Sequence, residues 1–396
     1  MIVNEAKTCR VCAGNVKQVA DFGTIHINDF PAEPNKSLGS APMILDQCVD
    51  CDLVQMRHTV DPNILYGEHY WYRSGLNPKL KQNLLDIANI VNTYTDRGDI
   101  VLDIGANDGT LLSGIKTNRI RIGCEPAPNM QFELKQHADY IIDSMWTHEL
   151  MWNQNPAKVI TAIGMFYDLD DPNNFINSVK ESLQSDGIFI AQLMTLAPML
   201  KMNDVGNICH EHLEYYSYKS LVNLYENNGL EIYKVIENDI QGGSYQIYAR
   251  HYNKGSIDYK EDITTLFKFI ETVETNGYAL RELLQMYKKQ GKSCYVYGAS
   301  TKGNTLLQLW NIGEYFDGAA EIHTDKIGRY TVGTNIPIIT EPEALDIADV
   351  LFVPNYGFKD LFSKKLSNWI SRGGILVFAM PKLEVVTNEN INISNT

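Results

Sequence analysis

The sequence predicts an α/β chain of three parts: a small N-terminal cysteine-bearing module, a central α/β domain, and a second, smaller α/β domain. Three observations predict it. Apolar strand-like runs alternate with helical patterns in "DIVLDIGANDG", "IRIGCEPA", "AKVITAIGMF" and "GIFIAQLM", which implies a parallel sheet with covering helices. The alternation restarts in "SCYVYGASTKGNTLLQLW", "AAEIHTDK", "ADVLFVPN" and "GGILVFAMP". Residues 1–70, by contrast, are short strand-like runs broken by Gly, Pro and Asn, and they hold two cysteine pairs. A length of 396 residues, 44% of them apolar, suits two or three cores. The expected boundaries are 1–70, 71–255, a connector helix over 256–290, and 291–396.

Taken in order, the first module is defined by Cys9/Cys12 and Cys48/Cys51. Two C-x2-C pairs on turn-like sequence have the spacing at which two small knuckles bring four thiolates to one tetrahedral Zn²⁺. Four sulfurs complete the shell, so the site is expected to be closed and structural. The next element, "PKLKQNLLDIANIVNTY" from about Asn77, reads as a helix. Another helical stretch runs from about Asp258 to Gln290, with Leu266, Phe269, Val273, Leu280 and Leu284 at near-helical spacing.

Bulk charge and cysteine use narrow the function classes. A net charge of −14 argues against a nucleic acid polymer or an anionic membrane surface as partner, so any phosphate must be met by local groups. No stretch approaches the roughly 18 apolar residues of a membrane span, and "MIVNEAKTCR" lacks a basic head followed by an apolar run. Seven cysteines arranged as two close pairs and three singles suggest metal chemistry in a reducing compartment. A cytoplasmic monomer or weak homodimer is expected.

"VLDIGANDGTLL" places Asp103, Gly105, Asn107 and Gly109 at a strand-to-helix turn, where small residues let a ligand approach the backbone. The run resembles the first motif of class I methyltransferases that use S-adenosylmethionine. That resemblance implies a Rossmann-like central domain, and it casts Glu125 in "IGCEPA" as the acid for the ribose hydroxyls and Asp143 in "YIIDSMW" as the residue flanking the adenine. A second loop, Gly298 to Gly303, has Asn304 where a phosphate loop needs Lys. An NTPase is therefore not expected, although amides at that helix start, beside Lys302, suit an anion.

"ICHEHLEYYS" gathers His210, Glu211, His212 and a Tyr pair. A His beside a carboxylate is a natural proton-transfer pair. With the paired cysteines, "CDLVQ", "LYGEHYWYRSG", "GGSYQIY", "YGASTKGNTLLQ", "GRYTVGTNIPI" and "PKLEVV", the chain resembles over nearly its full length the sugar C-methyltransferases that act on nucleotide-linked deoxy-keto-sugars. The resemblance implies a second Rossmann-like domain touching the nucleotide sugar. It also implies His212 as general base, Glu211 as its orienting partner and Tyr72 closing the site. Tyr70, Tyr215, Tyr216 and Lys302 are further packing or substrate-contact candidates. The chain departs from the family pattern in "TAIGMFYDLDDP", with Met165, Phe166 and Tyr167, at Gln192 and at Cys209, all on the expected acceptor pocket. The rival readings are an N- or O-methyltransferase and a non-catalytic zinc-stapled binding protein.

Overall fold

Strand Ile100–Ile104 is buried at every residue, as a central parallel strand must be, and it sits inside a seven-stranded sheet. The computed structural model describes residues 2–67, 70–151, 155–261 and 265–390, so Glu68 and His69 of the aromatic run and 262–264 of the expected connector lie outside it. Across the sheet the order is Leu230–Asn238, Ser244–His251, Leu183–Met194, Ala157–Ile163, Ile100–Ile104, Ile120–Cys124 and Tyr140–Ile142. Ser244–His251 is antiparallel to both neighbours, and the remaining neighbouring pairs are parallel. Strand order reverses between Ile100–Ile104 and Ala157–Ile163, so a crevice opens beyond their carboxyl ends.

The helix expected from Asn77 is Pro78–Tyr94, with the Asn77 side chain accepting from the Lys79 and Leu80 amides. Leu80, Leu84, Ile87, Ala88 and Val91 form its buried stripe. The C-terminal domain repeats the parallel design in six strands, ordered Ile338–Thr340, Gly318–Glu321, Cys294–Tyr297, Val350–Phe352, Ile375–Phe378 and the antiparallel Glu384–Val386. The charged helical stretch forms a helix over Leu266–Lys289. Its Phe269, Val273, Leu280 and Leu284 share one core with Cys294, Val296 and Leu306. This helix is thus packed into the C-terminal domain.

In the N-terminal module, strands Val16–His26, Ser40–Cys48 and Val54–Met56 form a sheet whose fourth strand is Glu214–Tyr215, contributed by the central chain. Gln55 pairs with Glu214 and Val54 with Tyr215. The Sγ atoms of Cys9, Cys12, Cys48 and Cys51 all lie within 4.8 Å of one another. A tetrahedron of ~2.3 Å Zn–S bonds needs sulfur spacings near ~3.8 Å, which this cluster fits. The amides of Cys12 and Asp50 point at the sulfurs of Cys9 and Cys48, at 3.5 and 3.4 Å. Such bonds stabilise thiolate charge. Ala13 and Asp52, just after the two pairs, turn the chain back with φ of 56° and 63°.

Purified protein is expected to hold about one equivalent of zinc per chain, and Cys48→Ser to lose most of it, with a fall in melting temperature. Native protein with all four thiols freely alkylated and little metal contradicts the site.

Candidate active site

The strand-to-helix turn after Ile104 is built for close approach. Gly105 has φ +72°, and a Cβ on it would lie 2.6 Å from Met165 Cγ. Gly109, at φ +78°, caps the helix Thr110–Ser113. Between them Asn107 takes φ 50° and donates its amide to Glu125 Oε2 at 2.9 Å, while the Ala127 amide holds Oε1 at 2.8 Å. Glu125 is buried, and desolvation raises its pKa against the pull of those two amides. Asp103, also buried, accepts from Thr161 Oγ1 at 2.6 Å, and burial lifts its carboxyl to about 7.

Above this turn lies the aromatic segment, pinned by side chains that the motif alone leaves unassigned. Asn107 Nδ2 donates to the Tyr72 carbonyl at 3.0 Å, and its Oδ1 accepts from the amide and hydroxyl of Ser74, both at 3.0 Å. Asp108 Oδ2 accepts from the Gly75 amide at 2.7 Å, and Asn129 Nδ2 donates to the Tyr70 carbonyl at 2.9 Å. The Asn107 side chain thus fastens the aromatic segment to the glycine loop.

Two cavities adjoin at this segment. The first, about 270 Å³, is lined by Asp103, Gly105, Asn107, Glu125, Ser144, Met145, Trp146 and Gln192. Asp143 is exposed just behind that wall and does not line it. The second, about 600 Å³, is lined by Glu211, His212, Asn207, Trp71, Ser300 and Lys302. Tyr70, Tyr72, Asp168, Gly164 and Gln241 line both. Tyr72 is 41% exposed, and its hydroxyl accepts from Gln241 Nε2 at 3.0 Å.

The His212 ring makes one hydrogen bond among the described residues. Its Nδ1 lies 2.7 Å from the Asn207 carbonyl, and since a carbonyl only accepts, Nδ1 carries the proton. Nε2 is then the lone-pair nitrogen, and no described residue hydrogen-bonds to it. The ring stands edge-on to Tyr167 at 4.7 Å. Burial lowers the His212 pKa, and the charge of Glu211 opposes that shift. Glu211 itself accepts from Asn28 Nδ2 at 3.2 Å, so the orienting partner of His212 in this structure is the Asn207 carbonyl rather than the Glu211 carboxylate.

The other candidates separate by position. Lys302 Nζ meets Asp204 at 2.6 Å and the Gln241 carbonyl at 3.3 Å on the wall of the larger cavity. Tyr215 and Tyr216 line neither cavity. Tyr216 is fully buried and stacks on Phe166 at 5.3 Å, and the Tyr215 hydroxyl donates to the His212 carbonyl at 3.2 Å. Packing is the role that geometry gives them. His210, fully buried, reaches the Ala41 carbonyl at 3.0 Å. The departures from pattern likewise have places: Met165 fills the space over Gly105, and Gln192 accepts from Asn238 at 3.0 Å. Reading the sequence missed Asn207 and Asp168. Asn207 acts through its backbone and leaves no side-chain signal.

The glycine turn, the buried acid after the next strand and the adjoining cavities are those of a methyltransferase, and the family comparisons agree. Models described as "Putative zinc binding domain", "Methyltransferase domain" and "C-methyltransferase C-terminal domain" match residues 9–66, 72–235 and 239–381 in turn. In that order the three matches are those of a C-methyltransferase with a zinc-binding N-terminus, and the chain is an S-adenosylmethionine-dependent methyltransferase. It is 26% identical to the C-methyltransferase NovU of Streptomyces niveus, over 98% of this chain and 99% of that one. Among solved structures, the plantazolicin methyltransferase BamL is similar at TM-score 0.37 and 11% identity, over 46% of this chain and 88% of that one. The magnesium protoporphyrin IX methyltransferase of Synechocystis PCC 6803 stands at TM-score 0.34 and 11% identity, over 43% and 79%. No helix among the described residues is long and apolar enough to cross a membrane.

Because Asn107 combines a left-handed backbone with three side-chain bonds, Asn107→Ala is expected to cost about 2 to 4 kcal/mol in denaturant unfolding. Asn107→Gly, which relieves the backbone, should cost less. Equal costs for the two variants contradict the backbone part of this account.

Proposed function

We propose that the protein methylates a carbon next to the ketone, C3, of a nucleoside-diphosphate 4-keto-deoxysugar, with His212 forming the enolate. The observation that carries this reading is the bare Nε2 of His212 on a cavity that shares its wall with the glycine-loop cavity. An amine or hydroxyl acceptor needs less help from a base, so the arrangement favours carbon.

The smaller cavity suits S-adenosylmethionine, since Gly105 and Asn107 of the glycine turn line it and the buried acid Glu125 stands on its wall. Gly105, Asn107 and Glu125, which line the cavity, would hold it, with Gly109 shaping the turn, Glu125 toward the ribose hydroxyls and Asp143 near the adenine end. When bound, it supplies an electrophilic methyl group on sulfonium. The larger cavity suits a nucleotide sugar. Its far wall is the start of the helix Thr301–Leu309, capped by Ser300 after a Gly298 turn with φ +95°, and Lys302 stands beside it. Amides and a lysine there meet a diphosphate in a chain whose net charge is −14. Tyr70 and Trp71 add aromatic surface to the same cavity.

In the reaction, His212 Nε2 accepts the proton from the carbon beside the ketone, and the Asn207 carbonyl holds Nδ1–H as the ring becomes cationic. Glu211 favours that cation through its charge, the second influence on the His212 pKa. Tyr72 and Gln241 close the shared wall against water.

His212→Asn is expected to lower methylation by about 10² to 10⁴-fold while leaving donor affinity within about twofold. Glu125→Ala should show the reverse pattern, with donor affinity down at least about tenfold. The base is the neutral imidazole, and its pKa is shifted below the ordinary 6.5, so the acid-side fall of kcat/KM should come at a pH below 6.5. Deuterium should wash into the acceptor carbon in D₂O with wild type and not with His212→Asn. Full turnover by that variant, or methyl found on oxygen or nitrogen, overturns the reading.

A further inference from the structure

Asp168 is a second group on the wall common to both cavities, in the "FYDLDD" run where the chain leaves its family's pattern. Its Oδ1 is buried with no hydrogen-bond partner. The groups that act on it electrostatically are the carboxyls of Glu211 and Glu214, the phenols of Tyr66, Tyr70, Tyr167 and Tyr215, and the thiol of Cys209. None of these is a cation. A carboxylate in such a place has neither a counter-charge nor full solvation, so the neutral acid is the favoured form. A neutral carboxyl has something an ionised one lacks, an O–H to donate.

We propose that Asp168 is a catalytic residue: its carboxyl donates a hydrogen bond to the ketone oxygen of the acceptor and holds the enolate that His212 creates. The inference rests on the keto-sugar reading given above. The step balances within protein and substrate. The carbon–hydrogen bond breaks, its proton goes to His212 Nε2, and its electron pair forms the carbon–carbon double bond. The carbonyl π pair moves onto oxygen, where the Asp168 O–H meets it. On reversal the proton returns to carbon, so exchange with solvent needs no methyl donor.

The position supports the division of labour. His212 stands on the larger cavity alone, whereas Asp168 faces both, as a group at the reacting end of the acceptor must. Burial raises the Asp168 pKa first, the charges of Glu211 and Glu214 raise it further, and only the Tyr66 hydroxyl opposes them. The carboxyl therefore keeps its proton to higher pH than an ordinary aspartate and loses it as pH rises through that raised value. This gives the reaction an alkaline limb to match the acid limb set by His212. An oxyanion donor of this kind typically contributes about 10² to 10³-fold in kcat.

Two measurements test the assignment. Infrared difference spectra of wild type against Asp168→Asn, without substrate at neutral pH, are expected to show a protonated-carboxyl band that the variant lacks; absence of that band in wild type overturns the proposal. The second follows deuterium wash-in from D₂O into 4-keto-6-deoxyhexoses carried on thymidine, uridine, guanosine and cytidine diphosphates, without methyl donor. Asp168→Leu, of similar size and unable to donate, is expected to slow exchange by about 10² to 10³-fold with donor affinity unchanged. Asp168→Asn, which keeps an N–H donor, should retain more of the rate and lose the alkaline fall. Wild-type exchange by Asp168→Leu, or an alkaline limb that persists in Asp168→Asn, overturns the proposal alone. A wild type that exchanges none of these sugars overturns the keto-sugar reading and this proposal with it.

Discussion

The pairing of Glu214–Tyr215 with Val54–Gln55 is the contact on which the His212 side of the molecule depends. It makes the chain just after the His-Glu-His run a strand of the cysteine-bearing module's sheet. The run is tied down elsewhere too: Leu213 accepts from the Met56 amide at 2.8 Å, His210 reaches the Ala41 carbonyl, and Glu211 holds Asn28. Arg10, next to Cys9, lies 3.6 Å from Glu214 and 3.3 Å from Asp170. Metal binding by four thiolates contributes folding free energy to a module that lacks a large core of its own. Through these contacts that energy also positions His212.

The other face of the site is set by the central sheet. Strand reversal between Ile100–Ile104 and Ala157–Ile163 places the glycine turn and the segment after Ile163 side by side. Leu213 and Glu214 amides both reach the Tyr167 carbonyl, at 2.8 and 3.0 Å, so the segment after the fourth strand grips the His-bearing run directly. Side chains at Asp168, Tyr70, Tyr72 and Gln241 then form the partition between the two cavities. Buried acids in this region, Asp103 and Asp168, have their pKa values raised because burial outweighs every opposing contact.

What the sequence disclosed follows from local physics. The parallel strands were legible because strands covered on both faces read as apolar runs, and Cys9, Cys12, Cys48 and Cys51 because metal geometry constrains spacing. Gly105 and Gly109 were legible because their backbone angles exclude most side chains. What stayed hidden depends on contacts far apart in sequence. Nothing local says that Glu214–Tyr215 completes a sheet begun at Val16, or that Leu266–Lys289 buries its stripe against Cys294 and Val296. Asn207 acts through a carbonyl that every residue possesses. Glu211, adjacent in sequence to His212, points its carboxylate to Asn28, because neighbouring residues outside a helix need not share a face.

The account turns on the Asn207 carbonyl setting the tautomer of His212, so that an unprotonated Nε2 is left for the acceptor. Nitrogen-15 spectra of the His212 imidazole, assigned by comparison with His212→Asn, measure this directly. The structure predicts a neutral ring at pH 7, protonated at Nδ1 and bare at Nε2, titrating below 6.5. A ring protonated at Nε2, or one cationic at pH 7, would contradict the assignment of His212 as the base.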